Sequence, residues 1–224
     1  MDTYDAVTSE IFQVGGGRFS NPEDAAVYLI ATDGGAAVVD AGCGNSIPRI
    51  LDNIRSCGVD PARIQTLLLT HCHFDHTGGA AEFRDHTGCQ IVAHELDAVY
   101  LETGDDQVTA AAWYGTGLNT FPIDQKPETA REAINLGQRP IQAIHIPGHS
   151  PGSLVYLMES DGQKVLFGQD VHGPLDASLK SDPIAYQQSL HTMLVLEADI
   201  LCEGHYGVYK GKDRVKQFIS SFLS

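Results

Sequence analysis

The stretch that decides the fold of this chain is THCHFDHTGG at residues 70–79. Within six residues it carries three imidazoles and one carboxylate, from His71, His73, Asp75 and His76. Imidazole and carboxylate together are typical ligands of zinc, manganese and iron. The stretch directly follows the apolar residues 64–69, and burying so many polar groups without a partner ion would be costly. The pattern H-x-H-x-D-H therefore predicts a metal site at the end of a strand.

Three more candidate ligands lie further along the chain, each in a turn that follows an apolar run. His149 lies in IPGHSPG at 146–152, Asp170 ends LFGQD at 166–170, and His205 lies in CEGHYG at 202–207. Taken alone, each residue is more typical of a turn than of a metal site. Because one hexapeptide cannot surround an ion without strain, we interpret all three as ligands that complete the same site.

The order of these motifs resembles the metallo-β-lactamase superfamily, which carries H-x-H-x-D-H, a P-G-H-T/S-x-G turn, a G-D turn and a late G-H. Its early aspartate turn has a counterpart in VDAG at 39–42. The resemblance runs across nearly the whole chain and points to the glyoxalase II and lactonase-like hydrolases. It implies an α+β fold, a four-layer αβ/βα sandwich with the metal site at the edge of the two sheets. One departure is Gln169, which is inserted between Gly168 and Asp170.

The resemblance also implies a role for each ligand, in two groups of three that share one bridging carboxylate. The groups are His71, His73 and His149 for the first ion, Asp75, His76 and His205 for the second, and Asp170 between them. Asp40 would accept a hydrogen bond from a ligand imidazole and fix its tautomer. The expected cofactors are two divalent metal ions, with zinc favoured over manganese or iron. Asp75 and Asp170 are the expected catalytic residues.

The composition limits the class of partner. Acidic residues outnumber basic ones by 29 to 14, so the formal net charge is −15 at pH 7. A surface this acidic repels phosphate backbones and anionic membranes, so we expect a small-molecule substrate and neither nucleic acid nor membrane. The N-terminus, MDTYD, is not followed by an apolar segment of signal-peptide length, and the five cysteines form no C-x-x-C pair. We therefore expect reduced thiols and a cytoplasmic protein, and leave a homodimer open.

Short apolar runs separated by turn residues predict a strand-rich domain that covers residues 1–224. The predicted strands are 27–30, 36–39, 64–69, 141–146, 154–158, 165–167 and 200–202. Apolar residues at helical spacing predict helices over 46–57, 184–196 and 213–222. The segment 105–126 contains Trp113 and shows no clear period. We interpret it as an insertion that forms a lid or pocket wall, with a plain surface excursion as the alternative.

A two-metal site with room for a shared water predicts a hydrolase. Two divalent cations make hydroxide available at neutral pH, so the favoured function is hydrolysis of a small acyl compound, namely a thioester, lactone or ester. Asp170 argues against the β-lactamases of the superfamily, whose two commonest classes place Cys or Ser near that point. The runner-up is a mononuclear iron dioxygenase that acts on a persulfide through His71, His149 and Asp170. A binding or regulatory protein with an idle site is the third reading.

The remaining polar residues carry weaker signals. His172 and Tyr206 lie next to candidate ligands and are candidates for substrate contact, with a solvated or packed side chain as the alternative. Cys72 is expected to be a buried filler. Four histidines have no supporting pattern and are expected at the surface or at an edge: His86, His94, His145 and His191.

Overall fold

The structure, a computed structural model, describes residues 3–224; Met1 and Asp2 of the acidic N-terminus and the side chain of Gln169 lie outside the description. The strands are β1 (Asp5–Ala6), β2 (Ile11–Gly15), β3 (Val27–Thr32), β4 (Gly35–Val39), β5 (Ile64–Leu68), β6 (Gln90–Val92), β7 (Arg131–Leu136), β8 (Arg139–His145), β9 (Leu154–Ser160), β10 (Gln163–Gln169), β11 (Ile200–Glu203) and β12 (Val208–Lys210). The helices are α1 (Ile47–Ser56), α2 (Phe74–Thr77), α3 (Ala80–Thr87), α4 (Glu95–Thr103), α5 (Pro183–Val195) and α6 (Lys212–Ser220). Short 3-10 helices cover Pro61–Arg63, Ala111–Tyr114 and Ala177–Leu179.

The strands form two six-stranded sheets, in the orders β1-β2-β3-β4-β5-β6 and β12-β11-β10-β9-β8-β7. Neighbouring strands are mostly antiparallel, but β4, β5 and β6 run parallel, as do β10 and β11. Parallel neighbours need a crossover connection, and α1 supplies it between β4 and β5. The carboxyl ends of these parallel strands therefore lie together at one edge of each sheet.

The buried apolar residues form three clusters, one for each interface between the layers. Helices α1 and α3 pack on the first sheet through residues such as Ile50 and Phe83. The two sheets pack face to face around residues such as Phe167. Helices α5 and α6 cover the second sheet through Leu190 and Val215. The result is the predicted four-layer αβ/βα sandwich.

All the predicted strands and helices are present, with ends that differ by a few residues. The elements that were not predicted are strands β1, β2, β6, β7 and β12 and helices α2, α3 and α4. Helix α4 exposes Leu96 and Val99 and buries Asp97, so its sequence lacks the apolar stripe of an amphipathic helix. The segment 105–126 contains one 3-10 helix and a bridge between Val92 and Gln125, in keeping with its lack of period.

The inserted residue at position 169 is absorbed by an irregularity in β10. The pairing register with β11 shifts between Phe167 and Gln169, so Gly168 is the extra residue of a bulge. A side chain at Gly168 would collide with Leu201, since its Cβ would lie 2.5 Å from Leu201 Cδ1. The bulge corrects for the extra residue and lets Asp170 emerge at the sheet edge with the other candidate ligands.

Two buried tyrosines connect each sheet with the loops at the edge of the other. The Tyr156 hydroxyl on β9 donates to the Leu69 carbonyl at 2.8 Å, directly before the THCHFDH stretch. The Tyr28 hydroxyl on β3 donates to the Glu203 carbonyl at 2.9 Å, directly before the turn with His205. Both bonds lie in the buried interface between the sheets and fix the two loops relative to each other. Within residues 3–224, no helix combines the length and apolarity needed to span a bilayer.

We predict that Tyr156→Phe lowers the free energy of unfolding by about 1–2 kcal/mol, because a buried hydrogen bond is lost while the packing is kept. Urea denaturation at neutral pH measures the effect. Tyr206→Phe is the control, since the Tyr206 side chain is 61% exposed, and a change within about 0.5 kcal/mol is expected there. Equal stability of Tyr156→Phe and the parent chain would contradict the structural role of this bond.

Candidate metal centre

All seven predicted ligands converge at one edge of the sandwich. The loop after β5 and the short helix α2 carry four of them, while the turns after β8, β10 and β11 carry one each. The side chain of Asp170 is 6% exposed, and that of His205 is 33% exposed. The centre is therefore buried on most sides and opens to solvent beside His205.

The first group consists of three imidazoles and one oxygen of Asp170. The Nε2 atoms of His71 and His149 lie 3.2 Å apart. Asp170 Oδ2 lies 3.3 Å from His149 Nε2 and 3.9 Å from His71 Nε2. The His73 ring lies 4.5 Å from each of the other two rings. These four side chains bring their ligand atoms within 4.8 Å of one another.

The second group uses the other oxygen of Asp170. Asp170 Oδ1 lies 3.1 Å from His76 Nε2 and 3.3 Å from His205 Nε2. Asp75 Oδ2 lies 3.6 Å and 3.2 Å from the same two nitrogens. Ligand atoms that bind one tetrahedral zinc ion at about 2.0–2.1 Å lie about 3.3 Å from each other. Both groups match this spacing, and the Asp170 carboxylate divides its two oxygens between them.

The tautomers of His71 and His149 follow from their other hydrogen bonds. His149 Nδ1 donates to the Pro174 carbonyl at 2.9 Å. The Thr70 hydroxyl donates to Asp40 at 2.8 Å and so accepts from His71 Nδ1 at 3.1 Å. Each neutral ring then carries a lone pair on Nε2, and these two lone pairs face each other. Such an arrangement is repulsive unless a cation lies between the nitrogens.

The electrostatics of the centre also fit a cation site. Burial lowers the pKa of His71 well below its usual value and that of His73 to about 3. Burial acts in the same direction on His76, but the carboxylates of Asp170 and Asp75 outweigh it and hold the pKa of His76 well above its usual value. Burial would raise the pKa of Asp170, yet His76 and other imidazoles hold it well below its usual value. The carboxylates of Asp170 and Asp75 thus favour positive charge at His76, which a bound cation would supply, while burial keeps His71 and His73 neutral.

Several buried ligand atoms lack hydrogen-bond partners. Within the described part of the chain, this holds for Nε2 of His73 and His76 and for Oδ1 of Asp170. Buried polar atoms in proteins are nearly always hydrogen-bonded or bound to an ion. The donor set, its spacing and these orphaned atoms fit divalent metal ions.

Asp40 makes the predicted contact with a ligand imidazole. Its Oδ2 accepts from His76 Nδ1 at 2.6 Å, and its two oxygens also accept from the backbone and hydroxyl of Thr70 at 2.8 Å. Asp40 follows β4 with a φ of 60°, a conformation that Asp tolerates better than most residues. In this backbone conformation the Asp40 carboxylate contacts both ends of the ligand loop, Thr70 and His76.

Asp97, in the first turn of α4, is a buried residue that the sequence analysis missed. It accepts from Cys72 N at 2.9 Å, Ser150 Oγ at 2.6 Å and Gly152 N at 2.6 Å. The carboxylate thus joins the loop that carries His71 to the turn that carries His149. No sequence signal pointed to this role, because α4 lacks the apolar stripe that would mark its buried face.

The expectation that His94 lies at the surface or at an edge is wrong. His94 is 2% exposed and its ring stacks on His145 at 3.8 Å. Its Nδ1 accepts from Leu96 N and caps α4, the helix that carries Asp97. His145 Nε2 in turn donates to the Pro151 carbonyl at 2.9 Å, in the His149 turn. The stacked His94 and His145 rings therefore stabilise the helix with Asp97 and the turn with His149. No local sequence motif predicts such a contact.

The other weak candidates divide between the interior and the solvent. His86 and His191 are exposed, as expected, and Cys72 is buried. His172 lies at the edge of the centre, with a nitrogen within 4.8 Å of ligand atoms of Asp170 and His205. All five cysteines are free thiols.

Glu203, a second buried carboxylate missed in the sequence, orders the edge next to His205. It accepts from His172 Nδ1 at 2.7 Å and from the backbone nitrogens of His205 and Tyr206 at 2.7 and 2.8 Å. The Tyr206 ring lies edge-on to His172, with centroids 4.8 Å apart. Glu203 therefore fixes both the ring of His172 and the backbone of the ligand turn.

We predict that Asp97→Asn weakens metal affinity by about 10- to 100-fold, because the amide NH2 replaces an acceptor that faces three donors. Competition with a chromophoric chelator measures the affinity. Glu95→Gln is the matched control, since Glu95 lies in the same helical turn but is exposed. Parent-like affinity in Asp97→Asn would show that the carboxylate does not hold the two loops.

We predict that His94 makes the fold sensitive to mild acid. Burial and the neighbouring His145 lower the pKa of His94 to about 4, so the unfolded chain takes up this proton first as the pH falls below about 6.5. The resulting loss of stability develops between about pH 6.5 and pH 4, at up to about 1.4 kcal/mol per pH unit. His94→Asn, which keeps a capping side chain, should flatten the dependence in urea unfolding. Identical slopes for both proteins in this window would remove His94 as a cause.

The comparisons with known proteins agree with this geometry. The profile of the metallo-beta-lactamase superfamily matches residues 21–205. The chain is 27% identical over 249 residues to the acyl-coenzyme A thioesterase MBLAC2 of Gallus gallus, a match that covers 96% of this chain and 84% of that protein. It is 29% identical over 138 residues to the hydroxyacylglutathione hydrolase GloC of Haemophilus influenzae, which covers 61% and 60% of the two chains.

A solved structure shares the architecture. BJP-1, a subclass B3 metallo-beta-lactamase of Bradyrhizobium japonicum, matches with a TM-score of 0.79 at 25% identity, over 98% of this chain and 90% of that one. The predicted fold is thus confirmed, as is the prediction of a metal-dependent hydrolase. Because the superfamily profile matches more than half of its residues, the chain belongs to the metallo-β-lactamase superfamily.

Proposed function

We propose that this protein is a dinuclear metal-dependent hydrolase of a small acyl compound, namely a thioester, a lactone or an ester. The observation that carries the proposal is the division of the Asp170 carboxylate between two groups of imidazoles, with Oδ2 facing His149 and Oδ1 facing His76 and His205. A carboxylate placed in this way would hold two cations, one at each oxygen. The relatives support the reaction class, because the names of the thioesterase and of the hydroxyacylglutathione hydrolase both denote cleavage of an acyl derivative.

Zinc is the metal we propose, because three imidazoles make up most of the first group, and zinc also suits the mixed imidazole and carboxylate ligands of the second. When bound, the ion pair supplies Lewis-acid polarisation of an acyl carbonyl and a nucleophilic water at neutral pH. His71, His73 and His149 would hold one ion, Asp75, His76 and His205 the other, and Asp170 both.

The chain's own residues have distinct tasks in this scheme. Hydrogen bonds at Nδ1 keep Nε2 of His71 and His149 free to bind a cation. The contacts of Asp75 with imidazole run through Oδ2, so we assign proton transfer to its Oδ1. The exposed side of His205 gives the substrate access to the centre, and the buried remainder excludes bulk water.

The alternative function is that of a mononuclear iron dioxygenase, which metal analysis would distinguish from the hydrolase. It would use His71, His149 and Asp170. The second group speaks for the hydrolase, because Asp75, His76 and His205 also bring their ligand atoms within 4.8 Å. We further propose a small-molecule substrate without nucleic acid or membrane partners, and a cytoplasmic location. A homodimer stays open.

We predict that the parent protein, purified without added metal or chelator, holds about two zinc ions per chain and that Asp170→Asn holds about one, because the amide loses the bridging charge. Elemental analysis measures both contents. Hydrolysis of thioesters and lactones should fall by about 100-fold or more in the variant. Two ions and full activity in Asp170→Asn would remove this residue from the site, whereas about one iron per parent chain would favour the dioxygenase.

We predict that His149→Ala loses most activity while the fold survives, because the three apolar clusters, not the metal centre, supply most of the stability. Circular dichroism and urea unfolding report the fold, and hydrolysis reports the activity. The matched control is His191→Ala, which removes an exposed imidazole from α5 and should behave like the parent. Global unfolding of His149→Ala would mean that the metal ions are structural.

A further inference from the structure

We propose that the substrate is an acyl compound without an anionic carrier, in which an apolar or aromatic part lies against an aromatic rim beside the metal centre. The inference rests on the proposed hydrolase and narrows its substrate class. The expected substrate is an uncharged ester, lactone or small thioester. Thioesters of coenzyme A or glutathione, whose carriers are anionic, are expected to be poorer substrates.

Six segments border the metal centre, namely 16–26, 41–46, 105–122, 147–153, 171–182 and 204–207. Three of them hold or directly follow a ligand, and the other three bond to the backbone of the ligand loop. Ala25 N donates to Asp75 O at 3.1 Å, Ala41 N to His76 O at 2.7 Å, and Phe74 N to Thr109 O at 2.7 Å. We therefore take these segments as the surroundings of a bound substrate.

The charges on these segments are mostly negative. Their sequences contain two cations, Arg18 and Lys180. Arg18 pairs with Asp5, and Lys180 lies over the Tyr100 ring at 5.4 Å. The acidic residues of the segments are Glu23, Asp24, Asp105, Asp106, Asp176 and Asp182. The six segments, all within the described residues, thus contain no cluster of lysine or arginine, and Arg49 of α1, which adjoins segment 16–26, donates to the backbone carbonyls of Ser20 and Arg18.

Exposed aromatic side chains are present where cations are lacking. Trp113 and Tyr114 are 55% and 40% exposed on the 3-10 helix of the segment 105–122, and the Tyr114 ring lies 5.4 Å from Phe74 of the ligand loop. Tyr206, next to His205, is 61% exposed. Large exposed aromatic residues beside a buried polar centre are typical of a binding surface for apolar ligand groups.

Tyr114 and Glu23 bring the aromatic surface and the negative charge together. Burial raises the pKa of the Tyr114 hydroxyl, and the carboxylates of Asp75, Asp170 and Glu23 act in the same direction. The Glu23 carbonyl also accepts a hydrogen bond from Cys43 at 3.1 Å, and Glu23 itself is exposed. Glu23 therefore places an exposed carboxylate on a segment that adjoins the ligand loop.

The negative net charge of the chain also disfavours anionic substrates, at longer range than the individual carboxylates. At −15, the protein slows the approach of polyanions and leaves that of neutral molecules unaffected. This repulsion is screened by salt, since the Debye length falls to about 8 Å at physiological ionic strength. The metal ions attract the scissile carbonyl itself, whereas the phosphate groups of a long carrier lie beyond that range, over the acidic segments.

The test uses two thioesters with the same scissile bond and acyl chain, S-hexanoyl-N-acetylcysteamine and hexanoyl-coenzyme A, on the zinc-loaded protein. We expect kcat/KM for the neutral thioester to exceed that for the coenzyme A thioester by about tenfold at low ionic strength, with a ratio that shrinks as salt is added. A coenzyme A thioester that is cleaved faster at low salt, and more slowly as salt is added, would overturn the proposal. So would a preference that does not respond to salt, since it would arise from size.

Charge variants localise the effect. Glu23→Gln should raise kcat/KM for hexanoyl-coenzyme A by about two- to threefold and leave the neutral thioester unchanged. Asp161→Asn is the matched control, because Asp161 lies in the β9–β10 turn at the far end of the strands from the ligand turns. An equal gain in both variants would contradict a role for the acidic rim.

The aromatic rim is tested separately. Trp113→Ala should raise KM for the neutral thioester severalfold with little change in kcat, and an unchanged KM would contradict the assigned contact. If the protein with two zinc ions per chain cleaves no thioester, ester or lactone at all, the proposed hydrolase itself fails. That result is distinct from a hydrolase that prefers the anionic carrier.

Discussion

Two imidazole lone pairs that face each other in a buried pocket cannot coexist without a positive charge between them. This is the situation of His71 and His149, whose Nε2 atoms lie 3.2 Å apart because their Nδ1 atoms are committed to Thr70 and Pro174. The Asp170 carboxylate extends the same constraint to a second group of ligands. A cation would relieve the repulsion between the lone pairs and would also balance the carboxylate charge. Hydrogen bonds within the chain cannot do both, so the centre fits bound ions.

The rest of the fold keeps these ligands in place. Buried carboxylates outside the ligand set act as acceptors for several donors each: Asp40 steadies the beginning and end of the ligand loop, Asp97 joins it to the His149 turn, and Glu203 fixes the last turn. Each removes backbone freedom from a loop that would otherwise be mobile. The hydroxyls of Tyr28 and Tyr156 reach across the interface between the sheets, so the two sheets and the metal centre are mechanically linked.

The sequence predicted the fold and the converging ligands because both depend on local patterns. Short apolar runs indicate the strands, and the H-x-H-x-D-H spacing is rarely found outside metal sites. The residues it missed act through tertiary contacts: Asp97 meets donors that are 25 to 55 positions away, and the stacking of His94 on His145 joins a helix cap to a strand end. The bulge at Gly168 also depends on a tertiary contact. Only the pairing register of β10 with β11 shows that Asp170 lies at the sheet edge with the other candidate ligands.

Family membership sets the reaction class, and we propose that the charge and the aromatic side chains of the rim narrow the choice of substrate. An acidic, aromatic border fits uncharged acyl compounds, a distinction that the shared fold cannot make. The proposed reaction depends on a pair of ions bridged by Asp170. Anomalous X-ray diffraction from crystals of the metal-loaded protein, recorded above and below the zinc absorption edge, tests it most directly. Two zinc peaks about 3.5–4 Å apart on either side of Asp170 are predicted, whereas a single peak among His71, His73 and His149 would contradict the account.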